Sequence, residues 1–232
     1  GGFSEYARVK ADWVVPLPAG LTLKEAMALG TAGFTAGLAV YKLEYNGLKP
    51  QNGPVLVTGA TGGLGSVAIS ILKNLGYTVA ASTGKESEHT YLKELGADDI
   101  LTREETTAES NRPLEKERWA GSVDAVGGTT LAYLLRTTRY GGSIAACGNT
   151  GGANFSTTVF PFILRSVNLL GIESVNCPME LRRQVWEHLA SDYKPKHLLD
   201  LIGHEAPLEE LPQALATVLK GGVRGRTVIK VS

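Results

Sequence analysis

Short, unbroken apolar runs alternate along this chain with longer segments whose apolar residues recur at helical spacing. The runs are Val55–Thr58, Thr78–Ser82, Asp99–Leu101, Val123–Val126, Ser143–Cys147 and Leu169–Ile172. Apolar runs without polar alternation are the pattern of strands covered on both faces, as in a parallel sheet. Between them, Gly63–Leu75, Glu86–Leu95, Arg112–Trp119, Thr130–Arg136 and Val159–Arg165 read as helices. Strands and helices in alternation predict an α/β fold, a Rossmann doubly wound six-stranded parallel sheet in the order 3-2-1-4-5-6. Ahead of the sheet, Leu23–Leu29 (with Thr22 as N-cap) and Thr35–Tyr45 (stopped by Gly47) predict two helices. Behind it, Met179–Leu189 and Leu208–Leu219 predict two more, and Thr227–Val231 a final strand. Tyr6–Val9 reads as a short strand before a turn at Pro16 and Pro18.

Composition narrows the function classes. The chain has 232 residues, 43% of them hydrophobic, enough for a sizeable core. Its 23 basic and 23 acidic side chains balance, and no basic cluster stands out, which argues against nucleic acid as the partner. No apolar run approaches the ~20 residues that span a bilayer. The only cysteines, Cys147 and Cys177, lie far apart and give no disulfide scaffold, so a soluble protein of the cytoplasm is expected.

The chemistry is concentrated in Val55–Ala68, VLVTGATGGLGSVA, where an apolar run passes into a glycine-rich turn and then a helix. In a doubly wound sheet the first strand ends where ligand phosphates sit, and the next helix offers unpaired N–H groups and the positive end of its dipole. A pyrophosphate approaches only where side chains are absent, which gives Gly62, Gly63 and Gly65 one common reason to be glycine. Against G-x-G-x-x-G, the aligned string Ala60-Thr61-Gly62-Gly63-Leu64-Gly65 carries alanine in the first place. Thr58-Gly59 through Gly63 and Gly65 also satisfies the T-G-x-x-x-G-x-G of short-chain dehydrogenases. That family needs a catalytic Tyr-x-x-x-Lys downstream, and none of Tyr77, Tyr91, Tyr133, Tyr140 and Tyr193 has lysine four positions on.

The second predicted strand ends in Ser82-Thr83-Gly84-Lys85. An NAD site places Asp or Glu there to accept from the ribose 2′-hydroxyl. Hydroxyls, open backbone and a lysine suit a 2′-phosphate instead, and Arg103, after the neighbouring third strand, adds a second positive contact. The expected cofactor is NADPH. Asn149 follows the fifth strand, the edge that meets the nicotinamide half. His89, His188, His197 and His204 show no metal-ligand spacing with one another or with a cysteine, so no metal is expected.

Further strings resemble the medium-chain dehydrogenase/reductase family. They are Gly1–Tyr6, Thr31–Ala36, Leu95-Gly96-Ala97-Asp98, Val123–Gly127, Gly141-Gly142 and Gly225–Val231. The segments GTAGFTA, TGKES, RPLEKERWAG, AACG and TTVFPFILRSVNLLGIES most resemble its quinone-oxidoreductase-like, acrylyl-CoA reductase branch. The resemblance implies that Thr61, Gly62, Gly63 and Leu64 hold the pyrophosphate and that Thr83, Gly84, Lys85 and Arg103 hold the 2′-phosphate. It also implies that Asn149, Ile163, Ser174 and Arg226 line the cofactor, with core packing an equal alternative for Ile163. It divides the chain into residues 1–25, the end of a GroES-like catalytic domain; 26–175, the NADPH-binding domain; and 176–232, helices and a strand returning to the catalytic domain. On that reading the chain lacks most of the GroES-like domain. The catalytic acid lies in the missing segment, and the fragment binds NADPH without turnover. The activity implied is zinc-independent, NADPH-dependent reduction of activated C=C bonds in a short 2-enoyl-CoA thioester. A quinone or alkenal reductase and a non-catalytic NADPH-binding protein stay open as alternatives. A homodimer is expected through the edge strand at Leu169–Ile172, unless Met179–Leu189 covers that edge.

Overall fold

The computed structural model describes residues 2–231. Thr22 and Glu25 form a capping box at the start of α1 (Leu23–Tyr45): the Thr22 hydroxyl accepts from the Glu25 N–H, and the Glu25 carboxylate accepts from the Thr22 N–H. The two helices expected here both form, joined end to end within this element at Gly30, where the backbone leaves helical geometry with φ +49° and ψ −153°. A side chain at Gly30 would meet the Arg226 guanidinium at 2.8 Å, so both backbone and packing select glycine at this bend.

Lys194 also pairs with Glu25 at 2.7 Å, and this partner, followed by the Thr22 N–H, holds the Glu25 carboxyl below its usual range. A group whose folded pKa is depressed stabilises above its unfolded value and loses that contribution as pH falls through the folded one. Glu25→Gln should therefore cost about 1 kcal/mol at neutral pH. The gap from wild type should close as pH drops below the ordinary 4.5, measured by urea unfolding across pH. A gap that is constant with pH would refute the assignment.

Six parallel strands follow: β1 (Val55–Val57), β2 (Val79–Thr83), β3 (Asp99–Thr102), β4 (Trp119–Asp124), β5 (Thr138–Ala146) and β6 (Asn168–Gly171). Their order is β3-β2-β1-β4-β5-β6, as the alternation predicted. Between them run α2 (Gly63–Asn74), α3 (His89–Glu94), α4 (Arg103–Thr107), α5 (Gly128–Thr137) and α6 (Phe160–Arg165). Both sheet faces are covered. Val55, Val57, Val79, Ala81, Val123 and Ala145 share a core with α1 and α2, while Leu56, Ala80 and Ile144 pack with Leu131, Leu134 and Leu135 of α5. Alternate residues of β1 thus enter different cores, which is why its sequence shows no polar alternation.

After the sheet come α7 (Met179–Leu189), β7 (Gly203–Pro207), α8 (Leu211–Leu219) and β8 (Arg226–Lys230). The strands β7 and β8 pair in parallel as a separate two-stranded sheet. Helix α7 packs on α1 through Trp186, stacked on Phe34 at 6.1 Å, and through Val185 and Leu189 against Gly37. Glu44 near the end of α1 ties the following segments together. It accepts from the hydroxyls of Tyr77 at 2.9 Å and Tyr193 at 2.5 Å, and burial together with this carboxylate pushes both phenols up.

The structure corrects several expected elements. Arg112–Trp119 is not a helix: Trp119 opens β4, and the preceding residues run as turns and extended chain. Pro113 disfavours helical backbone at Arg112, and the Glu115 and Arg118 N–H groups donate instead to Arg136 and Thr137 at the end of α5. Helix α4 was not anticipated, although Thr102 and Glu105 spell a capping box at its start. Strand β7 was missed as well. Its sequence, GHEAP, has two charged or titratable residues and a proline, and its partner lies about twenty residues away. Tyr6–Val9 forms no strand. No helix among the described residues is long and apolar enough to cross a membrane.

Candidate functional site

The strand order reverses between β1 and β4, the point beyond whose carboxyl ends a doubly wound sheet takes its ligand. Asp124 is fully buried at the end of β4. This carboxylate accepts from the Thr58 hydroxyl at 2.5 Å and from the Val126 and Gly127 N–H groups at 3.1 and 3.0 Å. Burial pushes its pKa up against the pull of those three donors. The ends of β1 and β4 are thereby locked at the point from which the glycine turn departs.

The three glycines of that turn have different reasons. A Cβ on Gly65 would stand 2.5 Å from the Gly59 carbonyl oxygen and 2.7 Å from the Ala60 Cα, so helix and strand cannot otherwise close up. A Cβ on Gly63 would run into the Arg226 side chain and reach 3.1 Å from the Gly225 oxygen. A Cβ on Gly62 would meet only the Gly59 oxygen, at an ordinary 3.4 Å. Packing within the chain accounts for glycine at Gly63 and Gly65, whereas no close contact within the chain requires it at Gly62. Gly62 is also the N-cap of α2 and supplies no side-chain acceptor, so donors of the first helical turn are not satisfied by a cap. Ala60 is fully buried in the core cluster, and its carbonyl accepts from Ser66, which accepts in turn from Tyr91 at 2.8 Å. The alanine in the fingerprint is a packed residue.

Around the end of β2, the Lys85 N–H donates to the Thr83 hydroxyl at 3.0 Å. Arg103, the first residue of α4, lays its guanidinium across Gly84, where a Cβ would come within 2.8 Å of it. Sequence reading counted the Ser82 hydroxyl among the available ones, but it bonds Thr106 at 2.8 Å.

The C-terminal segment 223–226 crosses over both regions. The Gly225 N–H donates to the Thr61 carbonyl at 2.9 Å, and Lys85 Nζ donates to the Val223 carbonyl at 3.2 Å. Arg224 lies over the Tyr91 ring at 4.8 Å with Glu88 3.7 Å away. Arg226 Nε donates to the Ala28 carbonyl at 3.1 Å, and burial lowers the pKa of its guanidinium. Thr61, Gly62, Gly63 and Arg226 are thus brought together, as are Thr83, Gly84, Lys85 and Arg103, and one strap joins the two groups. Leu64 stands in the first turn of α2. Of the strap, sequence reading named only Arg226 as a site residue. Gly225 was noted only as the start of a family-like string, and Val223 and Arg224 were not named, although a Gly-Gly-Val-Arg-Gly-Arg string is an evident loop signal.

The other three candidates sit apart from these groups. Asn149 is exposed on the loop after β5, whose backbone lies against Gly127 and Gly128; a Cβ on Gly127 would meet the Gly152 oxygen at 2.6 Å. Ile163 is 66% exposed on α6, so core packing is not its role; Phe160 and Leu164 beside it are exposed too, and Phe162 packs inward. Ser174 lies on the loop after β6, its carbonyl accepting from Arg182 at 2.8 Å. Strand β6 is an outer strand of the sheet with Leu169 exposed, and α7, which was considered as its cover, packs on α1.

No three His, Cys, Asp or Glu side chains among the described residues converge to hold a metal. Desolvation, followed by the neighbouring Asp124, pushes the thiol of the half-buried Cys147 up to about 12, and burial also raises Cys177.

The sheet order, the locked switch point and the bare turn before α2 define a dinucleotide-type Rossmann protein. The profile of the zinc-binding dehydrogenase family matches residues 63–191. An acrylyl-CoA reductase of Ruegeria pomeroyi is 54% identical over the whole of this chain, which spans 70% of it. The crystal structure of the yhdH oxidoreductase from Salmonella enterica in complex with NADP is 50% identical, with a TM-score of 0.96, over all of this chain and 71% of that one. The Bacillus subtilis yhfP structure with NAD bound is 54% identical, with a TM-score of 0.96, over 99% of this chain and 70% of that one. The chain belongs to the zinc-binding dehydrogenase family, that is, to the medium-chain dehydrogenase/reductases.

Proposed function

We propose that this chain binds NADPH and belongs to a zinc-independent reductase of activated C=C bonds. The preferred acceptor is a short 2-enoyl-CoA thioester, acryloyl-CoA going to propanoyl-CoA. The observation that carries the cofactor assignment is the end of β2, where Lys85 and the Arg103 guanidinium flank Gly84 and no carboxylate stands at the position that would accept a ribose 2′-hydroxyl. Support for the acceptor is the 54% identity to the Ruegeria pomeroyi acrylyl-CoA reductase.

In this reading Thr61, Gly62, Gly63 and Leu64 present backbone N–H groups and the positive end of α2 to the pyrophosphate. Arg226, one strand-end away, adds positive charge beside Gly63. Thr83, Gly84, Lys85 and Arg103 hold the 2′-phosphate, and Asn149, Ile163 and Ser174 line the nicotinamide half. When bound, NADPH supplies the hydride. The chain's own residues hold the dinucleotide at the switch point and keep the turn rigid through Asp124. Residues 26–175 form the cofactor domain, residues 1–25 and 176–232 belong with the catalytic domain, and two copies meet at the β6 edge.

Fluorescence titration of the chain should give a dissociation constant for NADPH at least about tenfold below that for NADH. Equal affinity would overturn the cofactor assignment. With the full-length gene product and NADPH, kcat/KM should be higher for acryloyl-CoA than for a small quinone. The reverse order would leave a quinone reductase, and binding without turnover on either would leave a cofactor-binding protein.

A further inference from the structure

We propose that Arg224 is a third cation of the 2′-phosphate pocket, a specificity residue delivered by the C-terminal strap and not by the βα units that follow β2 and β3. The inference rests on the NADPH reading. Its starting point is position. Lys85 Nζ donates to the carbonyl of Val223, so the next residue along the strap stands beside Lys85. Arg224 is then held against the βα unit that follows β2: its guanidinium carbon lies 4.8 Å over the Tyr91 ring, and its Nη1 is 3.7 Å from Glu88 Oε2. That unit is where the adenosine ribose of a dinucleotide lies in this fold, away from the pyrophosphate turn that Arg226 borders.

The guanidinium there is positioned but unspent. It donates no hydrogen bond among the described residues, and the Glu88 contact is beyond hydrogen-bond distance, leaving Glu88 Oε2 buried without a partner. The cation–π contact with Tyr91 holds the guanidinium in place and leaves its N–H groups free of hydrogen bonds among the described residues. A planar fork of this kind donates to two phosphate oxygens side by side, which a lysine does not. Lys85 spends one of its donors on Val223 and keeps the others. Lys85 is tied to the strap residue before Arg224, Arg103 lies across the neighbouring Gly84, and the half-buried Glu88 is the carboxylate that pairs with Arg224. An excess of positive charge held this way suits a dianionic 2′-phosphate and gives nothing to a 2′-hydroxyl.

The test compares NADPH and NADH dissociation constants, by fluorescence titration, for wild type, Arg224→Met and Arg224→Lys. Methionine keeps a long apolar stem over Tyr91, and apo thermal unfolding of each variant checks that the strap stays in place. Arg224→Met should weaken NADPH by about tenfold while NADH changes less than about twofold, with Arg224→Lys between wild type and Met. Equal losses for both cofactors would make Arg224 a loop-positioning residue and overturn the proposal, as would no loss for NADPH. If wild type already binds both cofactors equally, the NADPH reading falls and takes this inference with it. If wild type prefers NADPH and Arg224→Met keeps that preference in full, only this inference falls.

Discussion

Gly65→Ala should abolish dinucleotide binding and destabilise the chain by about 3 kcal/mol, at the upper end of what overpacking costs. The added methyl would sit 2.5 Å from the Gly59 oxygen and 2.7 Å from the Ala60 Cα. Both obstacles are backbone, and neither can swing aside as a side-chain tip does. Behind them, Ala60 is buried at 0% exposure and β1 is locked to β4 through Thr58 and Asp124, so the turn has nowhere to retreat. Helix α2 must instead be pushed off the strand, disturbing the packing of Val67, Ala68 and Ile71, which are fully buried. Gly62→Ala is the companion variant. Its methyl meets only one atom at 3.4 Å, so the unfolding midpoint should stay near wild type while NADPH affinity falls by about tenfold or more. Chemical denaturation and NADPH titration on the pair separate the two roles. A Gly62→Ala variant that binds NADPH normally would show that the bare backbone there is not reserved for a phosphate.

This contrast marks where sequence reading reached its limit. A glycine string between a strand and a helix announces a phosphate turn, but all its glycines look alike in one dimension. Only the positions of Arg226 and of the Gly59 carbonyl assign Gly63 and Gly65 to packing. The six strands and their order were legible because βα alternation and double-sided burial leave a direct trace in the residue pattern. Arg112–Trp119 misled because its spacing is helical while Pro113 and the demands of β4 are not, and tertiary pairing won. Strand β7 has no local pattern at all, since GHEAP is extended only because β8 lies beside it. The same holds for the strap. Its contacts join residue 61 to 225 and residue 85 to 223, and separations of that size leave no local periodicity to read. The Lys85 and Arg103 pair was readable because it needs only the sheet order, which puts the end of β3 next to the end of β2.

That pair carries the second large expectation. Lys85→Ala and Arg103→Ala should each raise the NADPH dissociation constant by about 10- to 100-fold, the worth of a charge-assisted hydrogen bond of about 1.5–3 kcal/mol. The two singles are not expected to be alike toward NADH. The Arg103 guanidinium lies across Gly84 and donates no hydrogen bond among the described residues, so its removal should leave NADH within about twofold. Lys85 also fastens the strap through Val223, and the strap bonds Thr61, so Lys85→Ala should cost NADH a few-fold as well. The quantity to follow is therefore the ratio of the two dissociation constants. It should fall by about tenfold or more in either single variant and approach unity in the double variant. The double loss should be smaller than the product of the singles, because neighbouring cations share one phosphate and each partly compensates for the other. Added salt should erode the wild-type preference by screening, and should change the double variant little. Lys85→Ala/Arg103→Ala that still prefers NADPH at low salt would place the discriminating charge elsewhere on the chain.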